Sequence, residues 1–202
     1  MHLHEAEALS IHWTRDIEVE WTRNVAAKHD AAVHMIQACL NGMRDAVEGW
    51  EVTGHARHAA RFESVDAKDR HVAAAAYQLS LDDALAPSIA LVTQNTKDFP
   101  PDAFKGTRVR PYAMSGYLEA LHAEAPELVA SVAEGCRKKL KAPPLTREEY
   151  VAVLMKNHCT GLARALSVGW AVECPVLAKD GTLYYASDAQ ALKPQRPRKP
   201  RP

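Results

Sequence analysis

A short and uninterrupted apolar run, Ser88–Thr93, constrains the fold of this chain more than any other segment. A run of this length is typical of a strand that is buried on both faces of a parallel sheet. The segment Thr107–Tyr112 predicts a second strand. The alanine-rich segment Val65–Tyr77 predicts a helix that precedes the first strand. This alternation of helices and strands predicts an α/β fold, in which helices cover a short parallel sheet.

Beyond about residue 122 the pattern becomes mainly helical. Thr146 and Glu149 form a capping box, which predicts a helix start, and Asp180-Gly181 predicts the turn of a short hairpin. The polar segment 54–64 predicts a loop. We therefore expect an α/β domain over residues 1–122, a helical extension with a short hairpin over 123–188, and a disordered basic tail over 189–202.

The charge of the chain is balanced overall but unevenly placed. Formal net charge is zero, yet residues 189–202 carry five basic residues and no acidic one, which leaves the rest of the chain acidic. These totals do not indicate the basic surface of a non-specific nucleic-acid binder. The four cysteines are widely separated, and there is neither a long apolar run nor a signal peptide, so we expect a cytoplasmic protein with reduced thiols and no membrane segment.

Two aspartates stand at the start of the predicted helix. Asp66 and Asp69 are three residues apart, so their side chains can share a helix face. Acidic first turns are common because a carboxylate caps the helix or complements its dipole. Taken alone, the two residues favour that structural role. The same structural hypothesis applies to Asp98, which would then be only a turn residue.

Asp98 favours a functional role for these acids, because it follows the predicted strand by a few residues. Sites in open parallel sheets form beyond the carboxyl ends of the strands, where Asp69 and Asp98 could meet. Carboxylates in close quarters repel one another unless a cation neutralises them. Mg²⁺ prefers such oxygen ligands and can activate water against a phosphodiester. Asn95 is placed to hydrogen-bond these carboxylates, or it is only a turn residue.

Two segments together resemble a known family. Val65–Ala75, followed by Leu91–Pro100, is similar to the second half of a PIN domain, in particular of VapC-type ribonucleases from bacterial toxin–antitoxin pairs. Ile11–Trp21 resembles the strand and helix of that family that carry an inward-facing acid. Tyr117–Trp170 resembles a helical C-terminal extension found on some of these proteins. The resemblance implies a three-layer α/β/α fold with that extension.

The resemblance also implies a site, a reaction and partners. Its catalytic acids and metal ligands would be Glu20, Asp69 and Asp98, with Asp66 as a further ligand and Asn95 and Thr93 in support. The implied cofactor is Mg²⁺ or Mn²⁺, and the implied substrate is single-stranded or looped RNA. The implied partners are a cognate antitoxin and a second copy in a homodimer. Glu18 and Glu20 lie on opposite sides of their helix, so at most one of them points inward.

The beginning of the chain departs from the family pattern. PIN domains open with a strand that bears the first catalytic aspartate, whereas no aspartate precedes Asp16 here. We therefore expect the first strand to be missing. Two hypotheses follow: a metal-dependent toxin ribonuclease, or a truncated and inactive PIN domain that only binds an antitoxin or a partner chain.

Overall fold

The computed structural model describes residues 2–29 and 33–187. The chain divides into two units, of which the first ends at Tyr117 and the second begins at Leu118. The domain bounds expected from the sequence stay predictions, and the expected disordered tail, 189–202, lies outside the described residues. Among the helices of the described part, none is long and apolar enough to cross a membrane.

The first unit alternates helices and strands. Its elements are α1 (His2–Glu5), α2 (Arg15–His29), α3 (Val33–Ala46), α4 (Arg70–Asp82), β1 (Ile89–Thr93), β2 (Val109–Ala113), and 3₁₀ helices over His55–Phe62, Thr96–Asp98 and Pro101–Phe104. Helix α5 (Met114–Glu124) follows β2 directly. The predicted α/β class, with a short parallel sheet and a helical C-terminal region, is confirmed.

Strands β1 and β2 pair in parallel, with Ile89 opposite Val109 and Thr93 opposite Ala113. Leu91 is the buried residue of β1, and its other four residues are only partly covered. The prediction that this strand is buried on both faces was therefore wrong. Its apolar character reflects one well-packed position at the centre of a two-stranded sheet, rather than a strand between two covering layers.

The main core of the first unit packs around α4. Small side chains on this helix, Ala73 and Ala74, are fully buried and allow close approach to the sheet and to the 3₁₀ helix His55–Phe62. Because His55–Phe62 is a 3₁₀ helix, the loop predicted over 54–64 was wrong. Phe62 and Val65 are apolar anchors within a polar stretch, and burying both of them holds this segment against the core. The buried cluster comprises Phe62, Val65, Ala73, Ala74, Leu91, Phe99, Phe104 and Val109.

The second unit is helical with one short hairpin. Its elements are α6 (Pro126–Lys139), α7 (Arg147–Lys156), α8 (Thr160–Trp170), β3 (Val176–Leu177) and β4 (Leu183–Tyr184). The predicted capping box is confirmed, because Thr146 accepts from the Glu149 amide and the Glu149 side chain accepts from the Thr146 amide. The predicted hairpin is also confirmed, because β3 and β4 pair antiparallel on either side of Asp180-Gly181.

A charged network ties α6 to the start of α7. Arg137 donates to both carboxylate oxygens of Glu134 at 2.9 Å, and Arg147 donates to the same group at 3.4 Å. The hydrogen bonds from Arg137 are the main cause that holds the pKa of Glu134 at about 2, below its ordinary value of 4.5. The Arg147 guanidinium also lies over the Trp170 ring, 5.5 Å from its centroid, which links α7 to α8.

This network predicts an acid-sensitive second unit. A carboxyl group with a lowered folded-state pKa stabilises the fold above its unfolded-state pKa, and that contribution is lost as pH falls. Between pH 4.5 and about 2, Glu134 should therefore lose on the order of 1–3 kcal/mol of stabilisation. Urea unfolding at pH 7, 4 and 3 should show a steeper loss in the native chain than in Glu134→Gln. Parallel losses in the two proteins would contradict this assignment.

Candidate functional site

The fold brings Asp69 and Asp98 together from two different elements. Asp69 directly precedes α4, and Asp98 lies in the 3₁₀ helix that follows β1. Helix α4 runs into β1 through a short connection and packs against it. A helix that packs beside the strand that follows it runs opposite to that strand, so the start of α4 lies near the end of β1. The acids therefore meet at the carboxyl end of the strand, as the sequence predicted.

A lysine ammonium group lies between the two carboxylates. The Lys68 Nζ is 3.5 Å from Asp98 Oδ2 and 3.9 Å from Asp69 Oδ2. The charges of Asp69, Asp66 and Asp98, in that order, raise the pKa of Lys68. The repulsion expected between the two acids is thus offset by a cation from the chain itself. This lysine side chain remains 64% exposed, so it reaches the acids from solvent.

Asn95 and Thr93 organise the end of β1 around Asp98. The Asn95 side-chain amide donates a short hydrogen bond to Asp98 Oδ2. The Asn95 backbone amide donates to the Thr93 hydroxyl at 3.1 Å, which fixes the turn that leaves the strand. Asn95 therefore orients the carboxylate of Asp98, and Thr93 positions Asn95.

Asp69 is the more buried member of the pair. Its side chain is 16% exposed, against 24% for Asp98. Burial is the main cause that raises the pKa of Asp69, and the nearby Asp98 carboxyl group adds to it, while the charge of Lys68 opposes the rise. The Asp69 Oδ2 atom is buried and has no hydrogen-bond partner among the described residues. Such an atom is costly to leave without a ligand or a proton.

The capping roles considered for Asp66 and Asp69 differ from what the structure shows. Helix α4 begins at Arg70, so Asp69 and not Asp66 holds the N-cap position. The Asp69 side chain makes no capping hydrogen bond. Asp66 is exposed and accepts from the Lys68 amide at 3.1 Å, which shapes the turn before the helix. The Asp69 carboxylate is therefore free of the helix end and faces Asp98 and Lys68.

A cleft of about 200 Å³ contains Glu20 and adjoins the acid pair through Lys68. It is lined by Asp16, Val19, Glu20, Arg23, Lys68 and His71. Glu20 is 37% exposed on its side chain, and its Oε2 lies 3.7 Å from His71 Nε2. The structure thus places the third predicted acid in a cleft that Lys68 also lines, and no described hydrogen bond or ion pair joins Glu20 to Asp69 or Asp98.

The buried acid of α2 is Glu18, which the resemblance did not select. Its side chain is 5% exposed and accepts from Arg44 at 2.8 and 2.5 Å and from the Trp13 indole at 3.0 Å. The hydrogen bond from Arg44 is the largest cause that lowers the pKa of Glu18. Trp13 also stacks on Trp50, with ring centroids 4.8 Å apart. Glu18 is therefore fully engaged in the packing of α2 and α3.

Exchange of the two glutamates for glutamine should separate their roles. Glu18→Gln leaves the partly buried Arg44 guanidinium without its charged partner and should destabilise the chain by about 1–3 kcal/mol. Glu20→Gln alters a half-exposed group and should change the free energy of unfolding by less than about 0.5 kcal/mol. Urea unfolding measures both values. Equal losses in the two variants would show that Glu20 is also structural.

The donor set fits a divalent cation of the magnesium type as a two-carboxylate site. Mg²⁺ commonly uses one or two carboxylates and keeps several of its waters. The Asp69 Oδ2 atom, which accepts no hydrogen bond from the described residues, and the Asp98 carboxylate, which shares the Lys68 ammonium with it, match that demand. In residues 2–29 and 33–187 no group of three His, Cys, Asp or Glu side chains is placed to hold a metal ion. The pair would therefore be the core of the site, with Glu20 in the cleft that Lys68 also lines.

Sequence reasoning did not select three further residues of this region, Lys68, Arg23 and His71. Lys68 stands between Asp66 and Asp69 in the sequence, a position from which it reaches both members of the acid pair. Arg23 and His71 line the cleft. A signal was present, since Asp16, Val19, Glu20 and Arg23 recur at the spacing of a single helix face. That mixed-charge stripe indicates a functional or solvent-facing surface of α2, and the cleft lies along it.

Comparison with known proteins bears on the C-terminal part of the chain. Residues 116–168 match the model of the VapC50 C-terminal domain. The matched segment covers most of α5 and all of α6 and α7, and it ends within α8. No curated protein and no solved structure gave a match. The match agrees with the helical extension predicted from Tyr117 to Trp170, and it supports a relationship between this chain and the VapC-family proteins.

Proposed function

We propose that this chain is a metal-dependent endoribonuclease and the toxin of a toxin–antitoxin pair. The observation that carries the proposal is the convergence of Asp69 and Asp98 on the Lys68 ammonium beyond the end of β1, where the buried Asp69 Oδ2 accepts no hydrogen bond from the described residues. The match to the VapC50 C-terminal domain supports a ribonuclease of this class. The PIN identity of the N-terminal region rests on the resemblance of its two acidic motifs.

Asp69 and Asp98 would hold Mg²⁺ or Mn²⁺ in this proposal. When bound, the cation supplies activation of water and neutralises charge on a phosphoryl oxygen. The chain's own residues prepare the site for it. Burial keeps Asp69 dehydrated, and the Asn95 amide fixes the direction of Asp98. An oriented ligand loses less conformational freedom when the cation binds, which favours binding.

The cleft beside the pair is the proposed place of the RNA backbone. Arg23 and Lys68 provide two cations for phosphate, and a guanidinium recognises phosphate through paired hydrogen bonds. Glu20 and His71 lie within 3.7 Å of each other in the same cleft. Glu20 would act as the third acid from this position, where it can orient a water or the substrate rather than share a cation directly with Asp98.

The partners follow from the same relationship. The match to the VapC50 C-terminal domain supports a cognate antitoxin as the partner of this chain, and we include a homodimer in the proposal on the basis of the resemblance alone. The alternative of an inactive binding module predicts the same antitoxin. The orientation of Asp98 by Asn95 supports the enzyme over that alternative.

Metal-induced stabilisation tests the proposed site. Mn²⁺ at a hundred times its dissociation constant should stabilise the native chain by about 2.7 kcal/mol, because a ligand that binds only the folded state raises the melting temperature. Asp69→Asn should abolish this shift. Asp102→Asn is the matched control, since Asp102 is an exposed acid that pairs with Lys105 on the surface.

The outcomes of this thermal experiment are distinct. A shift in the native chain and in Asp102→Asn, but not in Asp69→Asn, supports the site. No shift in the native chain, or the same shift in Asp69→Asn, would contradict it. A circular-dichroism spectrum of each variant confirms that the fold is retained before the melts are compared.

A further inference from the structure

Lys68 is not one of the proposed ligands, but it forms an ion pair with both members of the acid pair. Its ammonium group lies 3.5 Å from Asp98 Oδ2 and 3.9 Å from Asp69 Oδ2. The same side chain lines the cleft with Arg23 and Glu20. We propose that Lys68 is a built-in counter-ion that occupies the cation position of the acid pair and competes with the divalent metal for it. This inference rests on the proposed metal site.

The competition follows from the atoms involved. Asp69 Oδ2 is the buried oxygen without a hydrogen-bond partner, and it is also the oxygen that Lys68 approaches at 3.9 Å, which is an ion-pair distance but too long for a hydrogen bond. Lys68 therefore neutralises the pair incompletely. A divalent cation that binds at about 2 Å satisfies this oxygen directly and carries twice the charge. The metal and the ammonium cannot occupy the same position.

The geometry also gives the displaced ammonium a place to go. Lys68 is 64% exposed, and its flexible four-carbon stem allows it to move without any change in the backbone. Its backbone is held by the hydrogen bond from its amide to Asp66 Oδ1 at 3.1 Å. Lys68 already lines the same cleft as Arg23, so the displaced ammonium would remain at the proposed path of the RNA phosphate. Lys68 thus sets metal affinity and then contributes positive charge to the cleft.

The test compares the Mn²⁺ affinities of four purified proteins by isothermal titration calorimetry. Lys68→Met removes the competing cation and should bind Mn²⁺ about tenfold more tightly than the native chain. Lys68→Arg keeps a cation and should stay within about threefold of native affinity. Lys97→Met removes the same charge from the residue next to Asp98 in sequence and is the control for a general change in charge. Thermal melts without metal verify that each variant folds.

Each outcome of the titration decides the inference. Tighter binding by Lys68→Met alone supports it, including the case in which only this variant binds measurably. Equal or weaker binding by Lys68→Met, or the same gain in Lys97→Met, overturns it and leaves the proposed metal site standing. Absence of saturable binding in the native chain and in Lys68→Met overturns the metal site itself, and the inference with it.

Discussion

Asp98→Asn is expected to lower the rate of RNA cleavage by on the order of a hundredfold or more while the protein stays folded. The carboxylate is 24% exposed, so its loss costs little packing, and Asn95 can still hydrogen-bond the amide oxygen of the new side chain. What is lost is one of the two charges that would hold the cation. Metal stabilisation of a phosphoryl transition state amounts to several kcal/mol, and each 1.36 kcal/mol corresponds to about tenfold in rate.

The control for this variant is again Asp102→Asn, which lies in the next 3₁₀ helix and is exposed. Initial rates on a fluorogenic single-stranded RNA at saturating Mg²⁺ give the comparison. We expect native rates from Asp102→Asn. Cleavage by Asp98→Asn within about threefold of the native rate would contradict the assignment of Asp98, provided that the two variants melt at similar temperatures.

Phe62→Ala should be the most destabilising single change in the first unit. Phe62 is 0% exposed, and its ring lies 5.4 Å from that of Phe104 and 5.9 Å from that of Tyr77 on α4. Truncation removes apolar contact and leaves a cavity, at a cost of about 3–5 kcal/mol. The melting temperature of this unit should fall by roughly 10 °C or more. Urea unfolding provides the free energy.

Phe62→Leu separates the cavity effect from any special need for an aromatic ring. Leucine fills much of the space, so we expect a smaller loss of about 1–2 kcal/mol. A loss of less than about 1 kcal/mol in Phe62→Ala would show that the 3₁₀ helix His55–Phe62 is not part of the cooperative core. Because α4 packs against that helix and follows directly on Asp69, the alanine variant should also weaken metal binding.

The local rules of the sequence predicted much of the fold. The capping box at Thr146 and Glu149, the hairpin around Asp180-Gly181 and the strand ending at Thr93 all follow from short-range chemistry that tertiary structure did not override. The 3₁₀ helix over His55–Phe62 was missed because its apolar anchors, Phe62 and Val65, lie in a polar stretch without helical periodicity. Burial there depends on a groove beside α4 that no local pattern reveals.

The proximity of the two acids was predictable because it follows from topology. Asp69 and Asp98 meet because a helix start and the end of the next strand share one edge of the sheet. The choice between Glu18 and Glu20 was harder, since both lie on α2 and differ only in which face packs inward. The structure buries Glu18 against Arg44, a residue 26 positions away whose contact is not visible in the sequence. The role of Lys68 likewise depends on side-chain reach rather than on spacing.

The most direct measurement is cleavage of a fluorogenic single-stranded RNA by the purified native chain as Mg²⁺ is titrated, with a chelator as the blank. We expect no cleavage in chelator and a rate that saturates with Mg²⁺, at a midpoint that matches the affinity from thermal stabilisation in the same buffer. The same rate in the presence of chelator, or no cleavage at saturating metal by a chain that is folded and binds the cation, would contradict it.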